Sequence, residues 1–400
     1  MVYGNRFTIA GLFTGCALLS GTALAQTTAT PLSASSRGET RSETPRTAGY
    51  DKGFFIRDEY DPFELKLNMA LQPRYTHETV DGAPDETRFA MHRARLKLTG
   101  KTFSDDLSYF FQAEFGSGEV SLKDCFIDYG IVPGALHARL GQFRRPFSRQ
   151  FITAVTNLET VDRSMVAEAF GASRDLGLLL HNRFEKSPEF EYALGAFNGT
   201  GDGSQVSGEV VVDPATGEGE LLSAEASNVP DRIHPLVLAR VGYNFRSIKG
   251  YSEADLEGGP LRFAVGLGGL LDFDGDGGDD SLARATLDGI LKLEGFSLWA
   301  AGFVSSEQTG DGFGDRALQS VGFAAEAGYV IAGAVQPVLR FATVAPDGPT
   351  NNYDEYLAGL SVYLVEHRLK WQTDVAALTD RTPSQQDLTA RIRSQITAVF

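Results

Sequence analysis

The feature that most constrains the fold of this chain is an alternation of apolar and polar residues that recurs along most of its length. In residues 63–76 the odd positions are apolar and nearly all the even positions are polar. Successive side chains of a β-strand point to opposite faces, so this pattern predicts a strand with one apolar and one polar face.

The same signature predicts sixteen strands, each about as long as a tilted strand must be to cross a bilayer. They are expected at 63–76, 88–101, 106–115, 119–131, 135–143, 174–184, 189–198, 234–246, 261–272, 282–294, 295–305, 317–332, 334–344, 353–367, 368–379 and 387–400. Short links alternate with longer ones, as short turns and long outer loops do in outer-membrane barrels. The longer links are 144–173, 199–233, 247–260, 273–281 and 306–316.

The polar faces of these strands favour a membrane barrel over a soluble β-sandwich. Charged residues recur on one face of strand after strand, where a sandwich would place its apolar core. These inward-facing candidates are Arg93, Arg95, Lys97, His137, Arg139, Arg284, Asp288, Lys292, Lys370, Asp374, Arg391 and Arg393. The chain is therefore predicted to be all-β, a transmembrane antiparallel β-barrel of about sixteen strands over residues 63–400. A secreted soluble β-sandwich binding protein is the weaker alternative.

The two ends of the chain indicate export. Residues 1–25 have a positive start, an apolar stretch and an A-x-A cleavage site, which together predict a cleaved signal peptide; a lipoprotein signal ending at Cys16 is the alternative. Residues 26–62 lack apolar periodicity and are predicted to be disordered. The last alternating strand ends in Phe400, which resembles the assembly signal of bacterial outer-membrane barrels. The expected location is the bacterial outer membrane.

The charge of the chain is unevenly distributed. The formal net charge of −16 argues against a nucleic-acid partner. Residues 88–175 nevertheless contain 12 Lys and Arg against 10 Asp and Glu, whereas residues 201–310 contain 7 against 18. The basic region is an island in an acidic chain, and the local field matters more for a channel than the total charge.

The link 144–173 lies inside this basic island and is the main candidate for a functional loop. It is long, partly apolar and rich in arginine, which is typical of ordered functional loops. We expect it to fold into the lumen of the barrel as a constriction loop; an exposed loop with solvated arginines is the alternative. Arg and Lys that line a narrow pore favour anions, and the forked donors of Arg match phosphate and carboxylate oxygens.

Ten basic residues are the candidate anion-binding or pore-lining set. They are Arg93, Arg95, Lys97, Lys123, Arg139, Arg144, Arg145, Arg149, Arg163 and Arg174. The first three alternate along one strand, so they are predicted to form a ladder on one face with a rung about every 7 Å. Ion pairs with Asp162 and Asp175 are the alternative role for Arg163 and Arg174.

Several short motifs resemble the bacterial phosphate-selective porin family of the porin O and P type. The matching segments are Arg93-Ala94-Arg95-Leu96-Lys97-Leu98, Asp128-Tyr129, Gly141-Gln142-Phe143, Pro146-Phe147-Ser148, Val161-Asp162-Arg163-Ser164, Glu168-Ala169-Phe170, Arg174-Asp175-Leu176-Gly177 and Phe197-Asn198-Gly199. The resemblance is dense from about residue 89 to 201. It implies a sixteen-stranded trimeric porin whose third long loop folds into the lumen, with basic residues along the path.

The resulting hypothesis is a passive outer-membrane channel that favours small anions such as phosphate. Its expected partners are those anions, outer-membrane lipid and lipopolysaccharide, and two further copies in a homotrimer. No catalysed reaction and no cofactor or metal are expected. An occluded structural or receptor-like barrel is the alternative, and an outer-membrane enzyme with catalytic residues from distant strands is a weaker one.

Two other features could indicate a metal site or a reactive thiol. Residues 272–277 resemble the start of a calcium loop, but Ala283 stands where the loop would need its bidentate Glu. Cys125 is the only cysteine after the predicted leader, and a lone cysteine in an alternating strand is more often a small apolar residue than a reactive thiol. Neither feature changes the channel hypothesis.

Overall fold

The computed structural model describes residues 47–58, 62–80, 82–118, 120–199, 205–212, 219–227, 235–246, 248–273, 281–311, 314–346, 352–381 and 386–400. The predicted signal peptide 1–25, most of the segment 26–62 and most of the candidate calcium motif lie outside these residues. Among the described residues, no helix is long and apolar enough to cross a membrane.

The described chain is built mainly of β-strands. In order they are β1 (Ala48–Tyr50), β2 (Phe54–Arg57), β3 (Glu64–Val80), β4 (Glu86–Thr102), β5 (Ser104–Glu114), β6 (Ser121–Val132), β7 (Leu136–Arg144), β8 (Arg174–His181), β9 (Phe190–Phe197), β10 (Gln205–Val212), β11 (Gly219–Ser227), β12 (Leu236–Phe245), β13 (Arg262–Phe273), β14 (Ser281–Leu293), β15 (Phe296–Asp311), β16 (Gly314–Tyr329), β17 (Val335–Pro346), β18 (Asn352–Val365), β19 (Leu369–Arg381) and β20 (Gln386–Val399). Two short α-helices, α1 (Arg149–Ile152) and α2 (Met165–Ala169), lie between β7 and β8.

Sixteen of these strands close into one antiparallel barrel. Each strand from β3 to β9 pairs with the next, β9 pairs with β12, and the pairing continues from β12 to β20. The last strand then pairs with β3, and Phe400 and Met69 exchange two backbone hydrogen bonds of 2.7 and 3.0 Å where the ends meet. All sixteen predicted strands are present and the predicted fold class is confirmed.

The two faces of the barrel wall have the polarity that the alternation predicted. On β20 the side chains of Ile392 and Ile396 are 42% and 50% exposed, whereas those of Arg393 and Gln395 are 5% and 1% exposed. The apolar face is therefore the outer one and the polar face is buried. A soluble β-sandwich would show the reverse, so that alternative is wrong.

Part of the segment predicted to be disordered is ordered instead. Strand β20 pairs with β3 only from Ala70 onward, which leaves residues 64–67 of the longer strand without a neighbour on that side. Strand β2 pairs with these four residues, and β1 pairs with β2. The prediction of disorder over 26–62 is thus wrong for residues 48–50 and 54–57, because an open strand edge offers backbone groups that a short neighbouring segment can satisfy.

Two of the long links also contain structure that the pattern did not predict. Strands β10 and β11, between β9 and β12, form a separate two-stranded hairpin. The link between β12 and β13, predicted over 247–260, is as long as the expected outer loops but lies at the short-turn end of the barrel. It packs inward: Ile248, Tyr251 and Glu253 are buried.

Apolar residues of the link between β7 and β8 pack against one side of the barrel wall. Phe147, Val166 and Phe170 are buried in a cluster with inward-facing residues such as Trp299 and Phe303. Ser148 and Ser164 cap the two helices, because their side-chain oxygens accept hydrogen bonds from Phe151 and Ala167 backbone nitrogens. This link, residues 145–173, is called the inner segment below.

Candidate functional site

Besides β7 and β8, which it connects, the inner segment hydrogen-bonds to buried or partly buried polar side chains on ten other strands of the barrel. These bonds involve Arg74 of β3, Arg93 of β4, Arg240 of β12, Asp288 of β14, Ser297 of β15, Glu326 of β16, Arg340 of β17, Ser361 of β18, Gln372 of β19 and Arg393 of β20. The segment is therefore held by partners that are far apart in the sequence.

Asp162 is the most heavily paired residue of the inner segment. Its Oδ2 lies 2.6 Å from Nη1 of Arg74 and 3.1 Å from Nη1 of Arg393, and its Oδ1 lies 3.0 Å from Nη2 of Arg93. Burial alone would raise the pKa of Asp162, but the three guanidinium groups outweigh burial and hold that pKa well below its usual range. The carboxylate stays ionised and links three adjacent strands to the segment.

Glu159 has the opposite electrostatic environment. Ser297 donates a hydrogen bond to its Oε1, and its backbone nitrogen donates to Oε2 of Glu253 at 2.8 Å. Burial, followed by the nearby charge of Glu253, raises the pKa of Glu159 to about 7. The inner segment thus contains one carboxyl that is fixed in its charged form and one that titrates near neutral pH.

A cavity of about 290 Å³ lies between the inner segment and the wall formed by β3 to β8. Five of the ten predicted site residues line this cavity together. They are Arg95, Lys97, Arg139, Arg144 and Arg174. Asp124 and Glu185 are the only carboxylates in its lining as described, so positive charge predominates. This site is called the basic cavity below.

Three of the five cations have carboxylate partners. Arg95 donates to Oε2 of Glu114 at 2.6 Å, and Arg174 donates to Oδ1 of Asp124 at 3.2 Å. Arg139 lies between two acids, with Nη2 2.9 Å from Oδ2 of Asp128 and Nη1 2.7 Å from Oε1 of Glu185. These pairs fix the geometry of the cavity and reduce the field of three of its cations.

The other two cations, Arg144 and Lys97, have no carboxylate partner among the described residues. Nη1 of Arg144 donates to the carbonyl oxygen of Phe151 at 2.7 Å and to that of Thr153 at 3.2 Å. The buried Nε of Arg144 has no hydrogen-bond partner within the part of the chain that the structure describes. Nζ of Lys97 lies 5.8 Å from the centre of the Phe110 ring. The positive charge of these two residues is therefore the least compensated in the cavity.

The remaining predicted site residues lie elsewhere. Arg93 and Arg163 line a second cavity of about 490 Å³, which also contains six carboxylate residues. Arg145 is buried beside Asp175, with Nη1 3.2 Å from Oδ2, and Arg149 is buried with its guanidinium carbon 4.5 Å from the centre of the Tyr251 ring. Lys123 lies in a β-bulge of β6. The structure thus does not bring these five residues to the basic cavity.

Arg163 and Arg174 do not pair with Asp162 and Asp175, the partners considered for them from the sequence. Asp162 pairs with wall arginines, and Arg163 instead donates to the carbonyl oxygens of Gln150 and Thr153 at 2.9 and 2.6 Å. Asp175 pairs with Arg145, which leaves Arg174 to Asp124. Burial lowers the pKa of Arg163 to about 10, with the charge of Glu168 opposing that shift. Adjacent position in the sequence was therefore a poor guide to these ion pairs.

Sequence reasoning missed three arginines that hold the inner segment. Arg74 pairs with Asp162, Nη1 of Arg240 donates to the Phe147 carbonyl at 2.9 Å, and Arg340 donates to the Asp162 carbonyl at 2.8 Å. All three occupy polar positions of alternating strands, so an inward orientation was readable from the pattern. Their partners were not, because those partners lie about 90 or more residues away.

Comparison with known family models gives one match, which covers nearly half of the chain. Residues 63–253 match the family model described as phosphate-selective porin O and P. The predicted family resemblance is confirmed over these residues. No curated protein matches the chain at a significant level.

Solved porin structures share the fold of this chain at low sequence identity. An anion-selective porin from Comamonas acidovorans is 12% identical, with a TM-score of 0.57, and the match covers 84% of this chain and 99% of the other. The outer-membrane channel DcaP of Acinetobacter baumannii is 10% identical, with a TM-score of 0.59, and the match covers 86% and 99%. These similarities show the barrel fold alone. Together with the family match, they support an outer-membrane porin channel.

Proposed function

We propose that this porin is an anion-preferring channel whose inner segment folds into the lumen and narrows it. Support for the location of the segment comes from its hydrogen bonds to ten strands of a closed barrel, which are hard to form from outside the wall. The apolar cluster around Phe147 and Phe170 occupies the side near Trp299 and Phe303. The open path would then run along β3 to β8, through the basic cavity.

The observation that carries the anion preference is the positive charge of Arg144 and Lys97, which have no carboxylate within ion-pair distance among the described residues. Five cations and two carboxylates line the basic cavity. Cations in a narrow, partly desolvated passage lower the energy of an anion there and raise that of a cation. The solved porin from Comamonas acidovorans is described as anion-selective, which agrees with this direction.

The same proposal includes the partners and location of the protein. Phosphate is a candidate solute because the matched family carries that name. A homotrimer in the outer membrane, surrounded by lipid and lipopolysaccharide, is proposed from the family resemblance; one neighbour with this fold, OmpT of Vibrio cholerae, was solved in a trimer form. Cleavage of residues 1–25 would accompany export. No enzymatic activity is proposed.

The test is the reversal potential of the refolded protein in a planar bilayer under a KCl gradient. We expect a potential of the sign that chloride permeation produces. A cation-selective pore would contradict the proposal, because it would mean that the acidic residues dominate the field. Titration of phosphate into the same bilayer then measures whether the solute named by the family reduces the chloride current.

An occluded barrel is the second candidate function. It is favoured by the apolar cluster of the inner segment, since residues such as Phe147, Val166 and Phe170 would fill part of the barrel interior. This candidate predicts no ion current from protein that runs as a folded, heat-modifiable species on a denaturing gel. Steady single-channel conductance would exclude it.

A further inference from the structure

A row of phenylalanine side chains crosses the wall of the basic cavity. Phe110, Phe126 and Phe143 come from the adjacent strands β5, β6 and β7, and all three line the cavity. The rings of Phe110 and Phe126 are parallel with centres 5.0 Å apart, and Phe143 meets Phe126 edge-on at 5.7 Å. Phe143 also belongs to the apolar cluster of the inner segment, so the row extends apolar surface from that cluster into a cavity wall whose other strand residues are mostly polar.

The cations of the cavity stand directly against this aromatic row. The guanidinium carbon of Arg139 lies 4.3 Å from the centre of the Phe126 ring, and Nζ of Lys97 lies 5.8 Å from that of Phe110. Phe110 and Phe126 are only half-buried, so part of each ring faces the open cavity. Charge and apolar surface are thus presented side by side.

The opposite side of the cavity is also largely apolar. The inner segment contributes Ile152, Ala154 and Val155 to the lining. Arg144 lines the same space; its Nη1 donates to carbonyl oxygens of the inner segment, and its buried Nε has no partner among the described residues. A ligand that satisfied both walls would need an anionic group for Arg144 and Lys97 and an apolar body between the phenylalanines and the inner segment.

Inorganic phosphate meets only half of this requirement. It is strongly hydrated, has no apolar surface and would lose hydration against the apolar walls. A carboxylate accepts the forked hydrogen bonds of Arg as well as phosphate does, and an aromatic ring attached to it would bury its surface against the phenylalanines. A cavity of about 290 Å³ is at the lower limit for ligand sites, which suits a single ring.

We propose that the basic cavity is a binding site for small aromatic monocarboxylates, which it holds in preference to inorganic phosphate. The proposal rests on the anion-preferring channel proposed above, and it names the class of solute. The carboxylate would meet Arg144 and Lys97, and the ring would pack against Phe110 and Phe126. Binding of this kind slows passage, so the solute reduces the current of smaller ions while it occupies the cavity.

The experiment compares three anions as blockers of chloride current through the full-length protein at fixed ionic strength and pH. Acetate and benzoate carry the same single carboxylate, so the difference between them isolates the ring; phosphate is the third probe. We expect the half-blocking concentration of benzoate to be at least about tenfold lower than that of acetate and of phosphate. Equal values for benzoate and acetate, or tighter block by phosphate, would overturn the proposal.

Two variants test the contribution of the ring site. Phe110→Gln removes the apolar surface and should bring the half-blocking concentration of benzoate close to that of acetate, while Phe110→Leu, which conserves apolar volume, should retain most of the difference. Phe341→Leu, on the outer face of β17, is the matched control. If the half-blocking concentration of benzoate is the same for Phe110→Gln as for the unaltered protein, the assigned site is wrong.

The outcomes separate this inference from the proposed function. If the pore is chloride-selective but benzoate and acetate block it equally, the channel proposal stands and the aromatic site is wrong. If the pore has no anion preference, the proposed anion-preferring channel is itself contradicted. The reversal potential under KCl alone makes that distinction before any organic anion is added.

Discussion

Arg74 and Asp162 form a two-pronged ion pair that joins the first long strand of the barrel to the inner segment. Nη1 of Arg74 lies 2.6 Å from Oδ2 of Asp162, and Nη2 lies 3.0 Å from Oδ1. Such forked contacts fix orientation as well as distance. Because Arg93 and Arg393 approach the same carboxylate, one residue of the segment neutralises part of the charge of three wall arginines.

Replacing Asp162 with Asn should make the channel more anion-selective and less resistant to heat. The substitution removes the counter-charge that three largely buried guanidinium groups share, although Arg393 keeps its pair with Asp374. Breaking a fully buried pair typically costs about 3–5 kcal/mol, which is the upper bound for this change. The reversal potential and the temperature at which the folded gel band disappears measure the two effects. Asp105→Asn is the control, because Asp105 is 83% exposed and Lys101 is its one ion-pair partner among the described residues. An unchanged reversal potential would show that these arginines do not act on the permeating ion.

Lys97 should contribute more to anion preference than Arg93, although both lie on β4 and both were predicted as rungs of one ladder. Arg93 is paired with Asp162, whereas Lys97 has no carboxylate partner among the described residues. Lys97→Gln should therefore reduce the chloride-to-potassium preference severalfold and Arg93→Gln only slightly. The two single variants are matched in strand and in charge removed. Equal effects in bilayer recordings would mean that the ion pair does not screen Arg93.

The stability of the protein should depend on pH through Glu159, in a direction opposite to that of an ordinary ion-paired carboxyl. Burial and the charge of Glu253 raise the pKa of Glu159 to about 7, whereas a glutamate in the unfolded chain titrates near 4.3. Between these values the folded protein binds the proton that the unfolded chain releases. The contribution is present below about pH 4.3 and is lost as the pH rises through about 7.

Glu159→Gln tests this dependence, since glutamine is uncharged at every pH. The variant should gain heat resistance relative to the unaltered protein as the pH rises from 5 to 8, measured as the temperature at which the folded band disappears. Lys292 and Lys370 also face Glu159 and limit the size of the effect, because their charge favours the ionised carboxylate. Glu366→Gln, in the exposed turn between β18 and β19, is the control. A difference that stays constant across this pH range would refute the raised pKa.

Gly268 of β13 is required by the close approach of the inner segment. A Cβ at this position would collide with the carbonyl oxygen of Phe147, the same oxygen that accepts a hydrogen bond from Arg240. Gly268→Ala should displace the segment and cost about 1–3 kcal/mol, as overpacking typically does. Gly269 is the natural control, because a Cβ there would have nothing within 4 Å. The measurement is the temperature at which the folded gel band disappears. Equal temperatures for the two alanine variants would contradict this packing.

The accuracy of the sequence analysis varied with the range of the interaction. Strands such as β3 and β20 were placed within a few residues, because alternation is a local property of each strand. The short strand β2 was missed, because it forms only where β20 leaves the edge of β3 unpaired. The inward fold of the link 246–261 was missed for a similar reason: its partners, such as Asn157 and Lys292, lie on other elements.

The sequence by itself determined the sixteen strands, the polarity of their two faces and the basic character of the region around residues 88–175. These properties follow from side-chain direction and local composition. Only the tertiary structure decided which cations share a cavity and which are neutralised. Arg93 and Arg145 differ from Arg144 and Lys97 because they pair with Asp162 and Asp175, which lie 69 and 30 residues away along the chain. The folding of the inner segment against the barrel wall forms these pairs, and no local pattern encodes them.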